Sequence, residues 1–143
     1  MHKILFVCHG NICRSPMAEF IMKHLVAQAG AAERFEIASV AVSREEEGSD
    51  MYPPARRELE RNGVPYTKRR ARQITQRDYD YFDRIYYMDS RNASYLRRMF
   101  PGDRGKCRQL LDREVADPWY YGNFGQTWQD IEEGCRLILE ELL

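Results

Sequence analysis

Cys8 and Arg14, separated by five residues, are the first pair in the chain whose types and spacing suit covalent chemistry. They bracket His9, Gly10, Asn11, Ile12 and Cys13, and Ser15-Pro16 follows. A thiolate is a nucleophile, and a guanidinium is a planar fork that holds two oxygens of a tetrahedral oxyanion. A loop this short, set between an apolar run and a helix start, turns its N–H groups inward as a nest, and the helix dipole adds positive charge. Gly10 permits positive φ, and Asn11 tolerates the left-handed region. The same field favours thiolate over thiol at Cys8, and Ser15 is placed to donate a hydrogen bond to that sulfur. The segment reads as an anion cradle with its own nucleophile. A bare Cys-x5-Arg pattern also arises by chance, as a buried thiol and a surface charge. The strand before it, the Gly-Asn turn within it and the Ser-Pro step after it lift this one above that reading.

Displacement at a phosphate ester leaves an alkoxide or phenoxide unless a proton is supplied. Asp117, in the run Asp117-Pro118-Trp119-Tyr120-Tyr121-Gly122, is the candidate acid. Its aromatic neighbours would desolvate the carboxyl and stack on a flat substrate. Taken alone, such a run is more often a structural turn over the core. It gains force beside the first motif.

The elements that must position these groups follow from pattern. Lys3–Val7 is a short apolar run, as in a strand buried on both faces. A helix follows, with Ser15 as N-cap and Pro16 at its first position, an apolar stripe through Ala18, Ile21, Met22, Leu25 and Ala29, and Gly30 at its close. Further strands are expected at 35–42, 84–88 and 109–111, and helices at 54–62, 90–99 and from Thr127 onward, where Asp130 completes a capping box. Residues 43–50 read as a charged loop, 115–125 as an aromatic loop, and 67–78 give no clear assignment. Alternating strands and helices predict a single α/β domain over 1–143, a parallel sheet with helices on both faces. Ligands in such folds bind beyond the carboxyl ends of the strands, so the turn after the first strand is the place to look.

Composition narrows the function. The 22 Lys and Arg balance the 22 Asp and Glu, so the chain lacks the overall basic footprint of a nucleic-acid binder. The apolar start Ile4–Val7 falls far short of the roughly 20 residues of a membrane span, and it is too short for a signal-peptide core. A cytoplasmic location is expected, with Cys8, Cys13, Cys107 and Cys135 reduced. Their spacing does not suit a zinc site.

The stretch Val7–Pro16, together with Asp117–Gly122 and Ile85–Asp89, resembles the low-molecular-weight protein tyrosine phosphatases over essentially the whole chain. The resemblance implies a three-layer, flavodoxin-like fold around a four-stranded parallel sheet, with no metal and no cofactor. It implies Cys8 as nucleophile, Arg14 as phosphate clamp, and Asp117 as general acid and then base. Cys8 to Ser15 become the phosphate-binding loop, with Asn11 and Ser39 bracing it and Ser15 stabilising the thiolate. Trp119 and Tyr120 form one pocket wall. Cys13 is placed behind the nucleophile as a redox partner. Phosphotyrosine proteins or peptides are the implied substrates, with inorganic phosphate and vanadate as competitors for the loop. One departure concerns residues 40–47, where Glu45 and Glu46 stand in place of an aromatic–histidine pair, making that wall acidic. His9 sits at the pocket rim.

Two rivals share parts of this pattern. A thioredoxin-coupled arsenate reductase needs relay cysteines near mid-chain, and residues 64–106 contain none. A non-catalytic phosphotyrosine-binding module would not need nucleophile, clamp and acid together. Cys107 and Cys135 read as packing residues, His2 and His24 as solvated or core-edge groups, and Lys68, Arg69, Arg70 and Arg72 as a solvated basic face.

Overall fold

The computed structural model describes residues 1–143. Four strands, β1 (His2–Cys8), β2 (Phe35–Ala41), β3 (Arg84–Tyr87) and β4 (Cys107–Gln109), form one parallel sheet in the order β2-β1-β3-β4. Helices α1 (Arg14–Gln28), α2 (Pro53–Arg61), α3 (Gln76–Tyr81), α4 (Ser90–Met99), α5 (Pro118–Tyr121) and α6 (Phe124–Leu142) connect and cover it. No helix is long and apolar enough to cross a membrane.

The central position of β1 explains its unbroken apolar run. Successive side chains of a strand point to opposite faces. Ile4, Phe6 and Cys8 join one core with residues of α1, α2 and α6, whereas Leu5 and Val7 join a second with Val40, Ile85, Leu96 and Phe100. Both faces are dry, so no polar alternation survives. Helix α1 is likewise buried on most sides, from Arg14 to Val26, because it lies between the sheet, α2 and α6.

Several boundaries differ from the sequence reading. Helix α1 begins at Arg14 with Cys13 as N-cap and no side-chain cap, so Ser15 lies inside the first turn and is free for other partners. Strand β4 lies two residues earlier than expected, because pairing with β3 decides a strand too short to show periodicity. Helix α3 lies partly in the segment that gave no assignment; its Thr75 and Asp78 form a capping box. The aromatic loop contains the short helix α5, capped by Asp117 itself. Helix α6 starts at Phe124 rather than Thr127: Asn123 caps it through the Gln126 N–H, and the Thr127 hydroxyl bonds back to the Asn123 carbonyl. Gly30 has φ 69°, as a left-handed helix stop requires.

Helix α6 packs against Leu110, just after β4, through Gly134. A Cβ built there would lie 2.4 Å from Leu110 Cγ, with both Leu110 methyls under 3 Å. Gly134→Ala should therefore destabilise the fold by about 1–3 kcal/mol from overpacking, although alanine favours helix by about 1 kcal/mol. Denaturant titration measures it. Leu110→Ala in the same background should recover part of the loss; a stabilised Gly134→Ala would show that the contact yields freely.

Candidate active site

The loop from Cys8 to Arg14 joins the carboxyl end of β1 to α1. Five of its carbonyls accept hydrogen bonds from donors outside the loop. The Cys8 and His9 carbonyls accept from the N–H groups of Val42 and Ser43, at 2.9 and 3.1 Å. The Ile12 carbonyl accepts from Tyr52 N–H at 2.9 Å, and that of Cys13 from Met17 N–H at 3.1 Å. The Asn11 carbonyl accepts from Arg69 at 2.5 Å. In a trans peptide the N–H points opposite to the preceding carbonyl. Outward carbonyls therefore leave the following N–H groups facing the concave side, and no protein acceptor meets those of residues 9–14. This is an anion nest at a helix N-terminus.

Cys8 is 3% exposed and lies at the base of a cavity of about 130 Å³. Ser15 Oγ is 3.1 Å from its Sγ, and the Ser15 N–H donates to the sulfur at 3.4 Å. The same hydroxyl also reaches the Val40 carbonyl at 3.3 Å. A hydroxyl rotates to suit its partners, so it donates to Val40 beside a thiol and to sulfur beside a thiolate. Asn11, at φ 59°, is the single non-glycine residue with positive φ. Its Nδ2 donates to Ser15 Oγ at 2.8 Å and Ser39 Oγ at 3.0 Å, and Ser39 donates onward to Glu19 Oε1 at 2.7 Å.

Arg14 is 2% exposed. Its NH1 donates to Asp89 Oδ2 at 2.7 Å and to the Val115 carbonyl at 2.8 Å, while NH2 donates to Asp117 Oδ2 at 3.3 Å. Burial would lower its pKa, but Cys8, Asp117 and Asp89 outweigh burial and hold it above the ordinary value. Asp117 is partly exposed at the rim, and its Oδ1 accepts from Trp119 N–H at 3.1 Å. Trp119, Tyr120, Glu45 and Glu46 all line the cavity. Trp119 is propped by Tyr52, with ring centroids 4.7 Å apart. His9 Nε2 lies 3.0 Å from Glu45 Oε2, and its ring meets Tyr95 edge-on.

The structure thus brings together Cys8, His9, Gly10, Ile12, Cys13, Arg14, Glu45, Asp117, Trp119 and Tyr120 around one cavity, with Asn11, Ser15 and Ser39 behind it. Sequence reasoning missed Asp89, Arg69 and Glu19. Asp89 stood at the end of a quoted stretch, but a carboxylate closing a strand is also an ordinary helix cap, which it is too, for α4. The basic run is only partly a solvated face: Arg69 turns inward, and Arg72 pairs with Asp78 at 2.7 Å.

A cysteine at the end of the first parallel strand, under an inward-amide loop, defines a class of α/β proteins that bind tetrahedral oxyanions at a helix N-terminus. Residues 3–143 match the family described as low molecular weight phosphotyrosine protein phosphatase. The chain is 35% identical to the low molecular weight protein-tyrosine-phosphatase YfkJ of Bacillus subtilis, covering 99% of this chain and 96% of that protein. It is 37% identical to the low molecular weight phosphotyrosine protein phosphatase of Sus scrofa, covering 97% of this chain and 94% of the other. The crystal structure of SP-PTP, the low molecular weight protein tyrosine phosphatase from Streptococcus pyogenes, superposes with a TM-score of 0.93 at 36% identity, covering 100% of this chain and 94% of that one. The chain belongs to the low molecular weight phosphotyrosine protein phosphatase family.

The Ser15 hydroxyl and N–H reach the sulfur of Cys8, and no such donor meets the sulfur of Cys13, Cys107 or Cys135. Burial, then the Cys8 sulfur, pushes the Cys13 thiol well up. Burial also raises Cys135, and raises Cys107 to about 12. Brief treatment with iodoacetate at neutral pH should therefore label Cys8 and spare Cys13, Cys107 and Cys135, with inorganic phosphate protecting. Peptide mass spectrometry reads the result; equal labelling of Cys13 would contradict this ordering.

Proposed function

We propose the route by which this protein tyrosine phosphatase works. The phosphoryl group of a phosphotyrosine side chain sits in the Cys8–Ser15 loop, its oxygens held by the free amides and by the Arg14 fork. The observation that carries this reading is the convergence of Cys8, the inward N–H groups, Arg14 and Asp117 on one cavity. Asp89 and Val115 hold the NH1 side of the guanidinium. The longer contact from NH2 to Asp117 is the one a phosphate oxygen would replace.

Cys8 Sγ attacks phosphorus; the S–P bond forms as the P–O bond to the phenol breaks. Asp117 gives its proton to the departing oxygen. Water then attacks the phosphocysteine, Asp117 takes its proton, the P–S bond breaks, and inorganic phosphate leaves with the thiolate restored. The Ser15 hydroxyl, oriented by Asn11 and Ser39, donates to the sulfur whenever it carries charge. The pocket mouth is flat and aromatic on the Trp119–Tyr120 side, which suits a phenyl ring. Cys13, buried in the same loop, extends the reading to redox control. Peroxide oxidises Cys8 to sulfenic acid, Cys13 condenses with it to a disulfide with loss of water, and an added thiol reductant restores both.

An aryl phosphate assay in EDTA tests the chemistry. Wild type should turn over, with phosphate and vanadate competing. Cys8→Ser should be inactive, and Arg14→Lys should stay impaired because a point charge lacks the fork. Asp117→Ala should lose roughly 10²–10⁴-fold for poor leaving groups and less for good ones. Equal losses for both leaving groups would make Asp117 structural, and activity abolished by EDTA would overturn the route.

The acidic wall bears on substrate choice. Glu45 and Glu46 line the cavity together with the aromatic pair, so peptides with basic residues flanking phosphotyrosine should be preferred over acidic ones. A peptide panel should show that preference shrinking in Glu45→Gln and Glu46→Gln. Preference for acidic flanks, unmoved by either change, would refute it.

A further inference from the structure

The segment Lys68-Arg69-Arg70 passes under the phosphate loop rather than around it. Lys68 and Arg70 are exposed, but Arg69 is only partly so. Its NH2 donates to the main-chain carbonyl of Asn11 at 2.5 Å and also to Asn11 Oδ1. Its NH1 reaches the Ser49 carbonyl and its own N–H reaches Asp50 Oδ1, each at 3.4 Å. One guanidinium thus grips both oxygens of the residue that carries the loop's left-handed turn.

Two consequences follow from that grip. A non-glycine residue in the left-handed region is strained, and such conformers persist where their surroundings over-determine them. Holding the Asn11 carbonyl outward keeps the Ile12 N–H turned into the nest. Holding Oδ1 also decides which way the carboxamide faces. With oxygen toward Arg69, Nδ2 must face Ser15 and Ser39, as it does. A reversed amide would oppose two N–H donors to Arg69 and leave the Ser15 relay without its donor. Arginine suits the task because its donors stand in a rigid fork and its charge does not titrate. Burial lowers its pKa, while Glu19, Asp50 and the Cys8 sulfur pull the other way.

We infer that Arg69 is a positioning residue of the phosphate loop, acting through Asn11 to keep the nest open and the Ser15 hydroxyl aimed at Cys8. The inference rests on the phosphatase reading of the site, and it names a residue outside the Cys-x5-Arg motif.

The test uses the full-length chain and four variants: Arg69→Gln, Arg69→Lys, Asn11→Ala and the Arg69→Gln/Asn11→Ala double. Arg70→Gln, an exposed neighbour, controls for the loss of one charge from the run. For wild type, kcat, KM for an aryl phosphate and the inhibition constant of inorganic phosphate are measured well below the thermal midpoint. Arg69→Gln should lose roughly ten- to hundredfold in kcat/KM, the scale of a misplaced catalytic group, and bind phosphate more weakly. Arg69→Lys should recover only part, and Arg70→Gln should match wild type. The double variant should be no worse than Asn11→Ala alone, because both changes break one unit. A merely stabilising arginine would lower the thermal midpoint and leave phosphate inhibition and kcat/KM of the folded enzyme unchanged; that result overturns the inference. Multiplicative losses in the double variant would overturn it too. Absence of turnover in wild type would instead defeat the phosphatase reading, so the two failures are distinguishable.

Discussion

A trans peptide cannot turn its N–H inward without turning the preceding carbonyl out, and a carbonyl that leaves water needs a donor. The Cys8–Arg14 loop meets that constraint at the carbonyls of Cys8, His9, Asn11, Ile12 and Cys13. Donors come from the two residues after β2, from Tyr52 just before α2, from the first turn of α1 and from Arg69. Each orphaned buried acceptor would cost about 1–3 kcal/mol, so the anion nest exists only because distant segments close around its outside. The register of β1 on β2 places Cys8 opposite Ala41, which brings Val42 and Ser43 to the loop's first carbonyls.

Charge is the second thing the fold must balance. Arg14 is buried to the point where an unpaired guanidinium would cost several kcal/mol. Asp89, at the end of β3, meets it at 2.7 Å and leaves the opposite side of the fork for a ligand. The same carboxylate caps α4 through the Asn92 N–H, so one side chain ties the sheet, a helix start and the clamp together. Asp117 balances Arg14 from the solvent side, while capping α5, which keeps it at the rim beside the aromatic wall.

The pocket's two walls come from different logic. Trp119 and Tyr120 are held over the loop by α5 and by Tyr52, although each is more than half exposed. Both border the mouth. Glu45 and Glu46 arrive on the turn after β2, anchored by the Ser43 hydroxyl to the His9 carbonyl. His9 pairs with Glu45 across that mouth, which joins the loop's rim to the acidic wall.

Much of this was legible in the chain itself, because the informative signals were local. The apolar run before Cys8 reports burial on both faces, and Asn11 reports a turn needing positive φ, whereas Gly10, expected to share that conformation, does not adopt it. The helix Ser90–Met99 was readable to the residue. What the sequence could not reveal is long-range pairing. Asp89 lies 75 residues from Arg14 and Arg69 lies 58 from Asn11, and nothing in composition or spacing links either pair. Ser15 looked like a helix cap because local propensity says so; the sheet instead places Val40 and Cys8 beside its hydroxyl, and tertiary contact wins. Residue types and neighbours marked the groups suited to chemistry and where the chain turns. Only the packed sheet decided which buried partner each of them meets, because that depends on strand order and register rather than on any local pattern.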